Sequence, residues 1–424
     1  MSQPFEMTGW VHTTNVYEVN VRQYTAEGTF LAFAKHLPRL QDMGVETLWF
    51  MPIYPIGKDR RLGSMGSYYS ISDYRTTNPE FGSLDDFREL VQQAHAHGFK
   101  VILDWVANHT SWDHVWTRSH PDFFLRTHEG HFQSPYDWHD VIQIDHSNTS
   151  QQDEMIASMA FWVREFHIDG FRCDMAHLVP FHFWERARQQ LDAIRPLYWL
   201  AETEDYHYLD VFDSIYTWEF LHKMEAYWKK QTDMDGLLEV LEKYKDHYAT
   251  DRARAFFTSN HDENSHSGSE YERMGDGAMA FAVLCATWGG LPLVYSGQEL
   301  PCKKRIKFFD KDPIEWQEPV QLHSFYKSLL WLHREHPAMR AADADTAAVR
   351  VSTNLDQAIF AYQRIKEERE VLVLLNLSPD HAHFKIHWGQ VSGFFRDLFT
   401  GQSRSLDDSL EFELPAWAFR VLVK

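Results

Sequence analysis

Cysteine is scarce in this chain: Cys173, Cys285 and Cys302 are the only three among 424 residues. An odd, widely spaced trio in or beside apolar surroundings makes neither a disulfide framework nor a metal-ligand spacing. No run approaches about eighteen uninterrupted apolar residues, which excludes a spanning helix. The opening stretch MSQPFEMTGWVHTTNVYEVN has no basic segment followed by an apolar one. No signal peptide is therefore expected, and the expected location is cytoplasmic, with a secreted or periplasmic form trimmed of its leader as the alternative. Positive charge is also short: 41 Lys and Arg stand against 61 Asp and Glu, for a net charge of −20. That balance argues against nucleic acid or an anionic membrane surface as a partner. There is no internal repeat and no low-complexity segment, and the sequence leaves the oligomeric state open.

What the chain has in quantity is apolar and aromatic surface. Hydrophobic residues make up 44% and aromatics 15%, which a disordered chain could not carry. Its length allows a barrel-sized core with smaller additions. Most of the 16 Trp, 18 Tyr and 30 Phe are expected in the core, but aromatic faces are also what sugar rings stack on.

Short β-rich runs alternate with helical patterns to about residue 335. The strand candidates are 15–21, 47–51, 100–105, 170–175, 198–202, 213–217, 255–260 and 291–297. One helix is expected over TFLAFAKHLPRLQDMG. Another is expected over SLDDFRELVQQAHAHG, with Ser83 as N-cap and Gly98 as its stop. Eight apolar runs joined by helical crossovers predict a parallel sheet buried on both faces and closed into a barrel. A doubly wound open sheet is the alternative on pattern alone. Two departures matter. About forty residues rich in His, Trp, Asp and Ser follow the third run, and a loop that long inside a compact domain is usually functional. Beyond SLLWLHREHPAMR, six strand patterns without helices (AVRVST, AIFAYQRI, EVLVLLNLS, HFKIHW, GFFRDLF, AWAFRVLV) predict a separate antiparallel β-domain.

Ionisable residues fall repeatedly at the ends of these runs. Asp104 ends the third, with Asn108 and His109 just beyond. Arg172 and Asp174 end the fourth, Glu202 ends the fifth, and His261 and Asp262 follow the seventh. Burying Arg172 and Asp174 without partners would cost several kcal/mol, so GFRCDMAH needs a reason to carry them. In a barrel, strand C-termini converge on the catalytic mouth. The chemistry that suits such a set is glycosidic cleavage: one ionised carboxylate attacks or stabilises an oxocarbenium-like centre, and another protonates the leaving oxygen. Arg172 and Asp174, two residues apart on a strand, share a face, and the arginine is expected to favour the ionised carboxylate. Cys173 points the other way and is expected to be a core residue. A purely structural ion-pair network is the bland alternative.

These segments resemble, in order, the short motifs of the α-amylase family, glycoside hydrolase family 13. DWVANH (104–109), GFRCDMAH (170–177), WLAET (199–203) and FTSNHDEN (257–264) are similar to its first four regions. GSYYSISDYRTTNPEFGS and GLPLVYSGQEL are similar to the segments before the third strand and around the eighth. The resemblance implies a (β/α)8 barrel from residues 1–107 and 147–338. It also implies an inserted domain B at 108–146 and a C-terminal β-sandwich domain C at 339–424. It implies Asp174 as nucleophile, Glu202 as general acid/base and Asp262 as the transition-state-stabilising aspartate. Tyr69, Asp104, His109, Arg172, His177 and His261 would bind substrate.

Two departures qualify that inheritance. Ala176 stands where many α-1,4-specific members have lysine before the histidine of the second region, so the leaving-group side of the cleft differs. Gln143 stands where an aspartate often helps hold calcium between barrel and domain B, and a neutral amide is a weaker ligand for a hard cation. Asn108 is the one ligand position the sequence offers, with hydrogen bonding at the root of domain B as its alternative role. No cofactor is expected to be required, and calcium is not expected to be obligatory. The expected activity is retaining hydrolysis of α-1,4-linked maltooligosaccharides or starch-type glucans. The alternatives are an α-glucosidase or glucosyltransferase on the same scaffold and, remotely, an inactive binding protein.

Overall fold

The computed structural model describes residues 5–245, 252–407 and 409–424; residues 1–4, the start of the expected first barrel segment, lie outside the described residues. Eight parallel strands close into a barrel: Val16–Val19, Thr47–Phe50, Lys100–Trp105, Gly170–Cys173, Tyr198–Ala201, Ser214–Tyr216, Ala253–Phe256 and Leu291–Tyr295. The first strand pairs with both the second and the eighth, so there is no open edge and the doubly wound alternative falls. Nearly every residue in these strands is buried, as expected of a sheet with side chains inside and helices outside. The fourth strand approaches the fifth so closely at Gly170 that a Cβ there would overlap the Tyr198 carbonyl. The seventh strand lies earlier than its apolar run suggests, ending at Phe256, and the rest of FFTSN turns into the loop that carries His261.

The helix expected over TFLAFAKHLPRLQDMG is two helices, Phe30–Ala34 and Leu37–Met43. Pro38 accounts for the break, since proline suits a first helical turn and not an interior. Helix Leu84–Ala96 has the expected ends. Ser83 and Asp86 form a reciprocal capping box, and Gly98 adopts φ 88° beyond its C-terminus.

The long excursion leaves the barrel after the third strand. A short antiparallel ribbon roots it, with His109–Ser111 paired to Val141–Gln143, and helix Thr149–Phe166 returns the chain to the barrel wall. At the C-terminal end, six strands form an antiparallel sheet. One of its faces (Phe360, Tyr362, Val371, Val373) joins the main core, where Trp288 packs on Phe360 and Tyr362. The other (Ile359, Ala361, Leu372, Leu374) packs on a two-stranded ribbon, Ala382–Lys385 with Glu411–Leu414. Two strands of this region, Ser403–Ser405 and Glu411–Leu414, add to the six expected from sequence. No helix among the described residues is long and apolar enough to cross a membrane.

Candidate active site

Arg172 organises the site. It is fully buried near the end of the fourth strand, where one guanidinium meets three carboxylates. Nη1 donates to both oxygens of Asp104 at 3.0 and 3.1 Å and to Asp174 Oδ1 at 3.0 Å. Nη2 lies 2.9 Å from Glu202 Oε2 as an ion pair whose angle falls outside hydrogen-bond geometry. Nε donates to the Tyr216 hydroxyl at 3.2 Å. The parallel register explains the convergence: Asp104 sits beside Arg172 on neighbouring strands, and Asp174 and Glu202 follow directly from the fourth and fifth. The strand-end aspartate and arginine of GFRCDMAH are therefore paired, and the arginine is shared more widely than the two-residue spacing implied.

Asp104 is held from every side. Its Oδ2 accepts from Trp49 Nε1 at 3.2 Å and from the Tyr69 hydroxyl at 3.0 Å as well as from Arg172. Glu202 Oε2 accepts the backbone N–H of Met175 at 2.7 Å. Met175 adopts φ 41°, a left-handed conformation that costs a non-glycine residue roughly 1–2 kcal/mol. That strained turn follows Asp174 directly and aims its N–H at the next carboxylate. Strain of this kind concentrates at functional sites.

Across the mouth, His261 is clamped between carboxylates. Its Nδ1 lies 2.5 Å from Glu18 Oε1, and its Nε2 is 2.7 Å from the Tyr69 hydroxyl and 3.3 Å from Asp262 Oδ2. Tyr69 stacks on the His261 ring at 5.3 Å, and Phe308, from the segment after the eighth strand, stacks on Tyr69. Asp262 keeps 40% of its side-chain surface open, while Asp174 and Glu202 are buried. A π-helical turn, Glu263–Ser267, begins immediately after Asp262, another feature common at functional sites.

Electrostatics separate these acids. Burial pushes the Asp174 carboxyl well up, the charge of Glu202 adds to this, and Arg172 opposes both. Burial also raises Asp104 against the pull of Arg172 and His261. Arg172 favours the ionised Asp174 as expected, but burial and the neighbouring carboxylates oppose it, because one cation is shared by three clustered buried acids. Asp262 behaves oppositely. Burial works against its charge, but His261 and Arg172 outweigh it and hold its carboxyl at about 2. Burial alone would lower His261, yet Asp262 and Glu18 raise it well above its usual value. Burial raises Glu18 as well, against the pull of His261. With two carboxylates flanking one ring, the proton belongs on His261.

The remaining expected residues are placed separately. His109 is buried in the excursion's ribbon, accepts from Asn108 Nδ2 at 3.2 Å and packs edge-on against Trp138; burial lowers it to about 4. His177 is exposed in the short turn Ala176–Leu178, outside the buried cluster. Ala176 is buried, its carbonyl accepting from Trp184 Nε1, and it offers no side-chain charge where the family often has lysine. Asn108 ties the root of the excursion by accepting the Ile144 N–H on its carbonyl. Gln143 pairs with His109 in the ribbon. Among the described residues, no cluster of three His, Cys, Asp or Glu ligands converges at this root. Cys173 is fully buried and burial pushes its thiol up, as a core residue requires.

Sequence reasoning missed Glu18, Trp49, Tyr216 and Phe308. Glu18 carried a signal, a carboxylate inside the apolar run VYEV. The others look like ordinary core aromatics.

The chain resembles known proteins over most of its length. The family description "Alpha amylase, catalytic domain" matches residues 12–143 and 127–328. The chain is 24% identical over 397 residues to alpha-amylase MalA of Haloarcula japonica, covering 89% of this chain and 57% of that one. It is 26% identical over 438 residues to an alpha-1,4-glucan:maltose-1-phosphate maltosyltransferase of Cereibacter sphaeroides, covering 92% and 58%. The chain thus spans little more than half the length of these two relatives. A solved alpha-amylase of Lactobacillus plantarum is 27% identical and superposes with a TM-score of 0.87 over 98% of this chain and 99% of that one. The maltogenic alpha-amylase AmyB of Thermotoga neapolitana is 26% identical, with a TM-score of 0.85 over 98% and 97%.

Proposed function

The chain belongs to the alpha-amylase family, and from that premise we propose that it is a retaining hydrolase of α-1,4-linked glucans or maltooligosaccharides. The observation that carries this reading is the sharing of Arg172 by Asp104, Asp174 and Glu202 at one strand-end mouth, with Asp262 opposite. Asp174 attacks the anomeric carbon and forms a β-glycosyl ester. Glu202 protonates the departing oxygen and then deprotonates the incoming water. Asp262, ionised beside the His261 cation, stabilises the positive charge that develops on the sugar. Substrate enters a site short of positive charge. Glu202 is the proton donor to the leaving oxygen, and Asp174 attacks as the carboxylate paired with Arg172. Tyr69 and Phe308 offer aromatic faces to the sugar ring, and Asp104 positions Arg172 and Tyr69. His109 and His177 contribute sugar hydroxyl contacts from the excursion and the rim. No organic cofactor enters this chemistry, and no step calls on calcium.

A second reading, glycosyl transfer, has the similarity to the maltosyltransferase in its favour. It differs only in whether water or a second sugar intercepts the ester. Digestion of labelled maltooligosaccharides, cyclodextrins, pullulan and sucrose tests both, with the anomer of each product followed by NMR. Shorter α-anomeric products support hydrolysis with retention, and lengthened products support transfer. Initial β-anomers would overturn the retaining mechanism. The cytoplasmic location expected from the N-terminal sequence belongs to this proposal and is tested by fractionating cells.

A further inference from the structure

The C-terminal ribbon carries a second constellation, remote in function from the barrel mouth. Period-two alternation sorts its residues cleanly. Ala382, Phe384, Phe412 and Leu414 face inward, with Phe384 stacked on Phe412 at 5.6 Å within the domain's core. The opposite face therefore presents His381, His383 and Lys385 from one side and Glu411 and Glu413 from the other, all exposed. The register sets His383 directly across from Glu413, with His381 diagonal to it. His381 Nε2 lies 2.8 Å from Glu413 Oε1, His383 Nδ1 lies 3.9 Å from Glu413 Oε2, and the two imidazole centroids are 4.7 Å apart. One ligand atom from each residue falls within 4.8 Å of both others.

From these contacts we infer that the outer face of the ribbon binds one divalent transition-metal ion of the zinc type through His381, His383 and Glu413. Bond lengths of about 2.0–2.2 Å place the ligands of a tetrahedral ion roughly 3.3 Å apart, which small rotations of exposed side chains reach. Two imidazoles with one carboxylate suit zinc, copper or nickel, whereas calcium and magnesium prefer all-oxygen sets. A hydrogen-bonded His–Glu pair would account for His381 alone. It gives no reason for a second imidazole to crowd the same carboxylate. An ion satisfies all three groups at once. The neighbouring Lys385–Glu411 pair, 3.6 Å apart, keeps the rest of that face neutral. The bound ion fastens the two strands of the ribbon, which are separated by a long connection, and leaves the carboxylates of the barrel untouched.

The test uses the full chain without a histidine tag, dialysed against chelator and titrated with zinc by calorimetry and with cobalt by visible absorption. One equivalent in the micromolar range, a tetrahedral cobalt spectrum and a raised melting temperature are expected. His381→Ala and His383→Ala should each abolish the equivalent, as should Glu413→Gln, while turnover on maltooligosaccharides stays at the parent level and reports an intact fold. Failure of zinc to saturate at micromolar concentration would overturn the site. So would a stoichiometric equivalent that persists when both histidines are replaced.

Discussion

Glu18 and His261 stand 243 residues apart in the chain and 2.5 Å apart in the structure, both fully buried. The carboxylate of the first strand thereby helps fix the charge of the histidine that holds Asp262. Glu18→Gln keeps the shape and removes the charge. His261 then loses its proton at a lower pH, so the alkaline limb of the kcat/KM profile should move toward acid. Because Gln can still accept from Nδ1–H, the stability loss should stay near 1–3 kcal/mol. A pH–rate profile with an unmoved alkaline limb would separate Glu18 from the working site.

Arg172→Lys preserves one positive charge and loses the fork. A single ammonium cannot meet Asp104, Asp174 and Glu202 together, so the variant should lose about 10²-fold or more in kcat. Stability should fall by about 3–5 kcal/mol, the cost of leaving buried charges without their partner. Steady-state kinetics with a denaturant melt measure both. A loss of activity with unchanged stability would mean that lysine satisfies the cluster.

Glu270 supplies a pH test away from the cleft. It is buried at the start of helix Glu270–Met274, and burial pushes its carboxyl up to about 7. Its folded value is raised, so the folded state holds the proton that the unfolded chain releases. Stability must therefore fall as pH rises from about 4.5 to 7 and stay reduced above that range, by about 3 kcal/mol in all. Glu270→Gln should raise the melting temperature at pH 8 and leave it nearly unchanged at pH 4. Equal effects at both pH values would show that ionisation is not the cause.

Asp262 and His261 act in opposite directions at the two ends of the scale. The depressed carboxyl of Asp262 stabilises above its unfolded value near 3.8, and that contribution is lost as pH falls toward about 2. The raised His261 contributes fully below about 6.5, and that contribution is lost as pH rises through its folded value. Asp262→Asn should remove the first contribution and weaken the second, which Glu18 still supports, so the melting temperature should fall most at mid pH and the acid limb should flatten. Melting curves from pH 2 to 9 read this directly, and an unchanged acid limb would contradict it.

Calcium should matter little. Gln143 is neutral, Asn108 offers a single amide oxygen, and no convergent acidic cluster stands near them among the described residues. Adding millimolar calcium to chelator-dialysed protein should leave turnover and melting temperature in place. A large rise in both would reveal a ligand set built from carbonyl oxygens.

The barrel was legible because its strands are buried on both faces and so read as continuous apolar runs, while charges such as Asp104 and Asp174 mark where those runs end. Pro38 marks the break between the two helices, but the apolar periodicity continues across it and makes the segment read as one. Glu411–Leu414 alternates polar and apolar residues and could have been recognised; Ser403–Ser405, short and polar, gives no such signal. Of the network around Arg172, the pairing with Asp174 was legible and the contacts to Asp104 and Tyr216 were not. Asp104 lies 68 residues from Arg172 and Tyr216 lies 44, and only closure of the sheet brings them together. Nor could the sequence show that three carboxylates compete for one arginine, because charge balance depends on burial and distance.

The central claim is that Asp174 forms a covalent glycosyl ester whose leaving oxygen is protonated by Glu202. A Glu202→Gln variant supplied with an α-glucosyl fluoride needs little help with the leaving group but lacks the base for the second step, so the ester should accumulate. Mass spectrometry of the quenched and digested protein should find one hexose on the peptide containing Asp174. Added azide should discharge it as an α-glycosyl azide, and a second Asp174→Asn replacement should abolish both signals. A hexose on any other residue, or α-fluoride turnover that yields β-glucose with no adduct, would contradict the account.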